Sequence, residues 1–131
     1  MKKIVVFSLS LALFTACGGS TDLSVGDKTT MEINKLFDAG DVVKGEMVSA
    51  EFEITNTGDY PLVIGEVKGS CSCTVADYPR EPIAPGETGI VSAHVDTDKV
   101  EAGMMNKGVR IVANTTPSII EVVIRANVMR K

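Results

Sequence analysis

The chain has 131 residues, with 13 Lys and Arg against 17 Asp and Glu, one His and a formal net charge of −4. That acidic balance argues against nucleic acid, which needs basic patches to neutralise phosphates, and against electrostatic docking on anionic lipid. Its 44% hydrophobic content suits one globular domain, but with 5% aromatics and no Trp the core must come mainly from Val, Ile, Ala and Met.

The N-terminus reads as an export signal. Lys2 and Lys3 precede an apolar run from Ile4 to Phe14, followed by small residues up to Cys17. About eleven apolar residues fall well short of the roughly 20 that a permanent transmembrane helix requires. Leu13-Phe14-Thr15-Ala16-Cys17 resembles the bacterial lipobox, in which the cysteine sulfur is acylated, with palmitate or a similar chain, and the peptide is cut before it. The expected organisation is a lipoprotein signal peptide over 1–16, a flexible tether over 17–30 and a folded domain over 31–131. Cleavage removes Lys2 and Lys3 and takes the net charge from −4 to −6. Residues 18 to about 30 are small and polar, giving a reach on the order of 20 Å between lipid and domain. Multiple acyl chains on Cys17 would anchor the protein to a membrane far more firmly than one chain does. Gly18 carries no strong inner-membrane retention signal, which favours the outer membrane.

Beyond the tether the chain shows period-2 patterning and no helical segment. Met31 to Phe37 is expected to form the first strand, ahead of turn signals at Gly40 and Gly45. From Val48 to Ile54, apolar Val48, Ala50, Phe52 and Ile54 alternate with Ser49, Glu51 and Glu53, so one face is buried and the other wet. Asn56-Thr57-Gly58-Asp59-Tyr60-Pro61 then supplies a turn. Further strands are expected at Leu62–Val67, near Cys71–Val75, at Thr88–Val95, at Lys107–Ala113 and from Ile120 to Val128. About seven short strands in roughly 100 residues predict an all-β, immunoglobulin-like β-sandwich, with a small closed barrel as the competing fold.

Several of these segments together resemble a known family. They are Phe52-Glu53-Ile54-Thr55-Asn56-Thr57-Gly58-Asp59, Pro61-Leu62-Val63-Ile64, Gly69-Ser70-Cys71-Ser72-Cys73-Thr74 and Pro82-Ile83-Ala84-Pro85-Gly86-Glu87. Val95-Asp96-Thr97, Gly103, Lys107-Gly108-Val109-Arg110-Ile111 and Asn114 continue the series. In this order they resemble the bacterial exported domain-of-unknown-function 1573 family, Ig-like relatives of the modules in major sperm protein and Hydin-type proteins. The resemblance covers roughly residues 38 to 128. It implies the sandwich fold and an envelope address, and transfers no catalytic residue.

Cys71-Ser72-Cys73 is the one local motif with chemical potential. Once Cys17 is lipidated, Cys71 and Cys73 are the remaining thiols in an oxidising compartment. On a flat strand their Cβ atoms would stand about 6–7 Å apart, too far for a disulfide, so bridging them needs a bend that Gly69 and Ser70 permit. Small core residues, a labile disulfide and a soft-metal site for Cu(I) or zinc all fit the pair. Met104-Met105, expected in a loop between strands, would be the added ligands for copper. His94, on the wet side of its strand, is expected to be an exposed residue rather than a general base, and Glu51 and Glu53 to solubilise their face.

The resulting expectation is a lipid-anchored cell-envelope protein with no catalytic residue, resident metal or cofactor. It would serve as a binding or scaffolding module for an unidentified protein partner. The alternative is a redox or copper-handling protein using Cys71 and Cys73.

Overall fold

The computed structural model describes residues 27–131. The signal segment, Cys17 and most of the tether lie outside the described residues. Eight strands form: β1 Met31–Ile33, β2 Leu36–Val43, β3 Met47–Asn56, β4 Ile64–Gly69, β5 Thr74–Asp77, β6 Thr88–Asp96, β7 Gly103–Ala113 and β8 Ile119–Met129. A 3-10 turn, Thr97–Lys99, leads from β6 towards β7. The strands make two four-stranded sheets, ordered β1-β3-β6-β5 and β2-β8-β7-β4. Every pairing is antiparallel except that of β2 with β8. The chain is an all-β, immunoglobulin-like sandwich.

The alternations read from sequence build the core. Val48, Ala50, Phe52 and Ile54 of β3, Val91, Ala93 and Val95 of β6, and Val122, Ile124, Ala126 and Val128 of β8 are all buried between the sheets. Phe37 meets Phe52 edge-to-face, with ring centroids 6.3 Å apart, and so ties β2 to β3 across the sandwich.

The structure corrects the expected elements at three places. Met31 to Phe37 is not one strand. Ile33 pairs with Ile54 in one sheet, whereas Leu36 pairs with Val123 in the other. Asn34 Oδ1 accepts the Leu36 N–H at 3.2 Å where the chain crosses over. This division raises the strand count from about seven to eight. Gly40 is not a turn; it sits inside β2 at φ +67°, where the register with β8 shifts between Asp38 and Asp41. That bulge uses a left-handed conformation that glycine adopts at little cost. Finally, β7 begins at Gly103, so Met104 and Met105 lie in a strand rather than a loop.

Candidate functional site

The described chain enters the sandwich at one end and is bonded in immediately. The Thr29 N–H donates to the Asn114 carbonyl at 2.9 Å, and the Thr57 N–H donates to the Thr30 carbonyl at 2.9 Å. Thr29 and Thr30, assigned to the tether from sequence, are therefore part of the folded body. Asn56 is the hub of this end and is completely buried. Its Oδ1 accepts from the Thr29 hydroxyl at 2.8 Å and the Gly58 N–H at 3.1 Å. Its Nδ2 donates to the carbonyls of Tyr60 and Ile83, each at 2.8 Å. A buried amide with all four bonds made pins the incoming chain, the β3–β4 turn and the Ile83 segment together. Asn114 repeats the device, accepting the Val63 N–H and donating to the carbonyls of Pro61 and Asp27. In the sequence Asn56 reads only as turn chemistry; its place at the end of the buried alternation Val48, Ala50, Phe52, Ile54 is the available signal.

Towards the other end, Cys71 and Cys73 form a disulfide with each other, their Cα atoms 5.2 Å apart. The bend that this needs is supplied by a tight turn between β4 and β5, in which the Thr74 N–H donates to the Cys71 carbonyl at 3.2 Å. Because β4 and β5 belong to different sheets, the turn links the two layers. Cys73 is buried and Cys71 half-buried. The Thr74 hydroxyl lies 3.5 Å from one sulfur and 3.7 Å from the other. Gly69 is required where β4 meets this turn, because a Cβ there would stand 2.6 Å from Thr74 Cβ and 2.9 Å from its carbonyl oxygen.

Met104 and Met105 do not act together. Met105 is 3% exposed in the core, while Met104, on the opposite face, is 67% exposed. Adjacent residues of a strand point to opposite faces, so the two thioethers cannot share a ligand. Among the described residues, no group of three or more His, Cys, Asp or Glu is placed to hold a metal ion.

The outer face of the β1-β3-β6-β5 sheet is acidic. Its strands carry Glu32, Glu51, Glu53, Asp77 and Asp96 and contain no Lys or Arg, whereas the other sheet's strands carry four acidic and four basic residues. Asp77 and Asp96 form ion pairs with Arg80 and Lys99 at 3.6 and 3.5 Å. Glu32, Glu51 and Glu53 are in no ion pair among the described residues. His94 is exposed on this face, and Ser49, directly across the β3–β6 ladder, brings its Oγ to 3.0 Å from His94 Nδ1. That contact was invisible in sequence, since the two residues are 45 positions apart. Among the described residues no carboxylate is hydrogen-bonded to the imidazole to orient it, and the pair lies on an open sheet face, so the geometry is that of a surface contact.

One long side of the sandwich is open. β1 accompanies β3 only along Ile54–Asn56, and over Met47–Glu53 the ladder partner of β3 among the described residues is β6 alone. Beside this edge a shallow open cleft of about 620 Å³ lies where β2 meets the start of β3, lined by Phe37, Ala39, Val42, Met47, Val48 and Ser49 together with exposed Asp38 and Glu46.

The family model for DUF1573, described as a protein of unknown function, matches residues 30–128. The chain belongs to the DUF1573 family. No curated protein matches it in sequence. Among solved structures, a protein of unknown function from Porphyromonas gingivalis W83 is similar, with a TM-score of 0.69 and 23% identity, covering 83% of this chain and 51% of that one. The DUF1573 chain thus spans about half the length of that protein. PapD-like domain 7 of human CEP192 is similar with a TM-score of 0.62 and 10% identity, covering 97% of this chain and 99% of the domain. The VesB protease of Vibrio cholerae is similar with a TM-score of 0.58 and 15% identity, over 75% of this chain and 31% of that one. At these identities the likeness shows the fold alone.

Proposed function

We propose that the mature protein is a non-catalytic binding module held in the bacterial cell envelope by acyl chains on Cys17, with a protein as its partner. The observation that carries this reading is where the chain enters the sandwich. The lipobox-like segment precedes Asp27, and the entry point through Thr29, Asn56 and Asn114 lies at one end of the body. From Asn56, the ten-residue β3 runs back roughly 30 Å to Met47 at its other end. A lipid at the Asn56 end would leave the opposite end and the open β3 edge facing away from the membrane. The outer membrane is the favoured address, because Gly18 follows the acylated cysteine. The sandwich would act by display: lipid fixes the location, tether gives reach, and sheet edge or outer face makes contact.

Crosslinking in intact cells, followed by identification of captured proteins, tests this reading against a Cys17→Ser control. The anchored form is expected to capture an envelope protein that the control does not. Identical captured sets from both forms would defeat it.

The bonded pair Cys71–Cys73 favours a second reading, a thiol-exchange protein that passes this disulfide to a dithiol partner. Copper binding would require prior reduction, since bonded sulfurs are not thiolate ligands. Thiol titration with and without reductant, together with metal analysis, separates the two readings. Full reduction by a mildly reducing glutathione buffer, about −200 mV, would favour exchange; a pair that stays oxidised there would favour a structural clasp.

A further inference from the structure

We propose that the open edge of β3, from Met47 to Glu53, is a docking site for an extended segment of a partner protein whose side chains alternate between cationic and apolar. This inference rests on the reading of the protein as a binding module and names its contact surface.

The edge exists because β1 leaves β3 early. After Ile33 the chain crosses to the other sheet, and the seven residues Met47–Glu53, about 23 Å of strand, keep one side without a ladder partner among the described residues. Alternate residues on such an edge present both N–H and C=O outward, which is the template that a strand from another chain extends. Main-chain bonding alone would accept any sequence; the two faces of the edge decide which one fits.

On the outer face an added strand would run beside Ser49, Glu51 and Glu53, with Glu32 near the end of its path. Lys or Arg at outward positions would meet Glu51 and Glu53, carboxylates without an ion pair among the described residues, as cross-strand neighbours. On the inner face the same strand would lie over the cleft lined by Phe37, Ala39, Val42 and Val48. Phe37, Ala39 and Val42 are only half-buried, so apolar side chains at inward positions would complete their burial. Exposed Asp38 and Glu46, which also line it, add further negative charge. The sheet that would be extended contains no Lys or Arg in its strands, so cations on the incoming segment meet no like charge within it.

Two other occupants fit less well. A second copy pairing edge to edge would bring Glu51 and Glu53 of both chains opposite or diagonal to one another, and like charges at such positions are destabilising. The chain's own residues 18–26, Gly-Gly-Ser-Thr-Asp-Leu-Ser-Val-Gly, contain no cation and lead to the Asn56 end rather than the Met47 end.

The test uses the full chain in a neutral detergent and a fluorescein-labelled nonapeptide of alternating Lys and Val. Two control peptides are needed: one with Glu replacing Lys, and one of identical composition with the lysines and valines in separate blocks. The alternating peptide is expected to bind at least tenfold more tightly than either control. It should also slow hydrogen exchange selectively at Met47–Glu53 and lose at least tenfold in affinity to the Glu51→Lys/Glu53→Lys variant. Both substituted residues are exposed, and an unchanged melting temperature checks that this variant still folds. Equal binding of the blocked peptide, protection at another edge, or failure of the alternating peptide to bind would overturn the proposal. So would a free chain that sediments as a dimer with Met47–Glu53 already protected. A partner captured in cells through a different face would also overturn it, yet leave the envelope reading standing.

Discussion

Replacing Asn56 with Ala removes four side-chain hydrogen bonds from a fully buried position, to Thr29, Gly58, Tyr60 and Ile83. A neutral hydrogen bond contributes about 1 kcal/mol net, and a buried group left unpaired costs about 1–3 kcal/mol. The Ile83 carbonyl keeps a partner in the Leu62 N–H. The uncompensated losses then fall on the Thr29 hydroxyl, the Gly58 N–H and the Tyr60 carbonyl. Summed with the small cavity left behind, the expected destabilisation is about 3–5 kcal/mol, out of the roughly 5–15 kcal/mol typical of a domain. For a body of this size that corresponds to a melting temperature lower by at least about 12 °C. With no Trp in the chain, urea unfolding followed by far-ultraviolet circular dichroism is the suitable assay. Thr29→Val, which removes one of the four bonds, should cost about 1 kcal/mol in the same experiment. An Asn56→Ala loss below about 1 kcal/mol with an unchanged slope would refute the hub argument.

Three further outcomes follow from packing. Gly58→Ala should destabilise by about 1–3 kcal/mol in urea unfolding, because the new Cβ would stand 2.6 Å from the Thr30 nitrogen and 3.1 Å from Thr29 Cα. Met105→Ala should cost about 2–5 kcal/mol and Met104→Ala less than about 0.5 kcal/mol by thermal melting; equal costs would contradict the strand assignment of this pair. Cys71→Ala/Cys73→Ala should remain a folded sandwich, losing about 1–2 kcal/mol, since a three-residue loop constrains the unfolded chain little. Complete unfolding of that variant would show that the turn does more than link the two sheets.

Most of the fold is legible in residue alternation, because one buried face per strand imposes it. Val48 to Ile54, Val91 to Val95 and Val122 to Val128 each carry the pattern, and each lies where that pattern puts it. The strand exchange at Asn34-Lys35 escapes the same logic. Met31, Ile33, Phe37 and Ala39 keep one parity across the crossover, so an uninterrupted strand and two strands in different sheets look alike. Only exposed Lys35, at what would be an inward position, interrupts the sequence. Met104-Met105 read as a loop because Gly103 and the polar Asn106-Lys107 flank it, yet Gly103 takes φ +115° as the strand begins. The bend at Cys71-Ser72-Cys73 was foreshadowed by Gly69, while the sulfur–sulfur bond was one of three open readings. The Ser49–His94 contact and the β3 edge depend on ladder partners far apart in sequence, which no local pattern records.

Intact mass spectrometry of the protein extracted from native membranes tests the central claim most directly. The account predicts a chain beginning at Cys17 that carries acyl mass on that residue. A chain retaining Lys2 and Lys3, or one beginning at an unmodified Cys17, would contradict it.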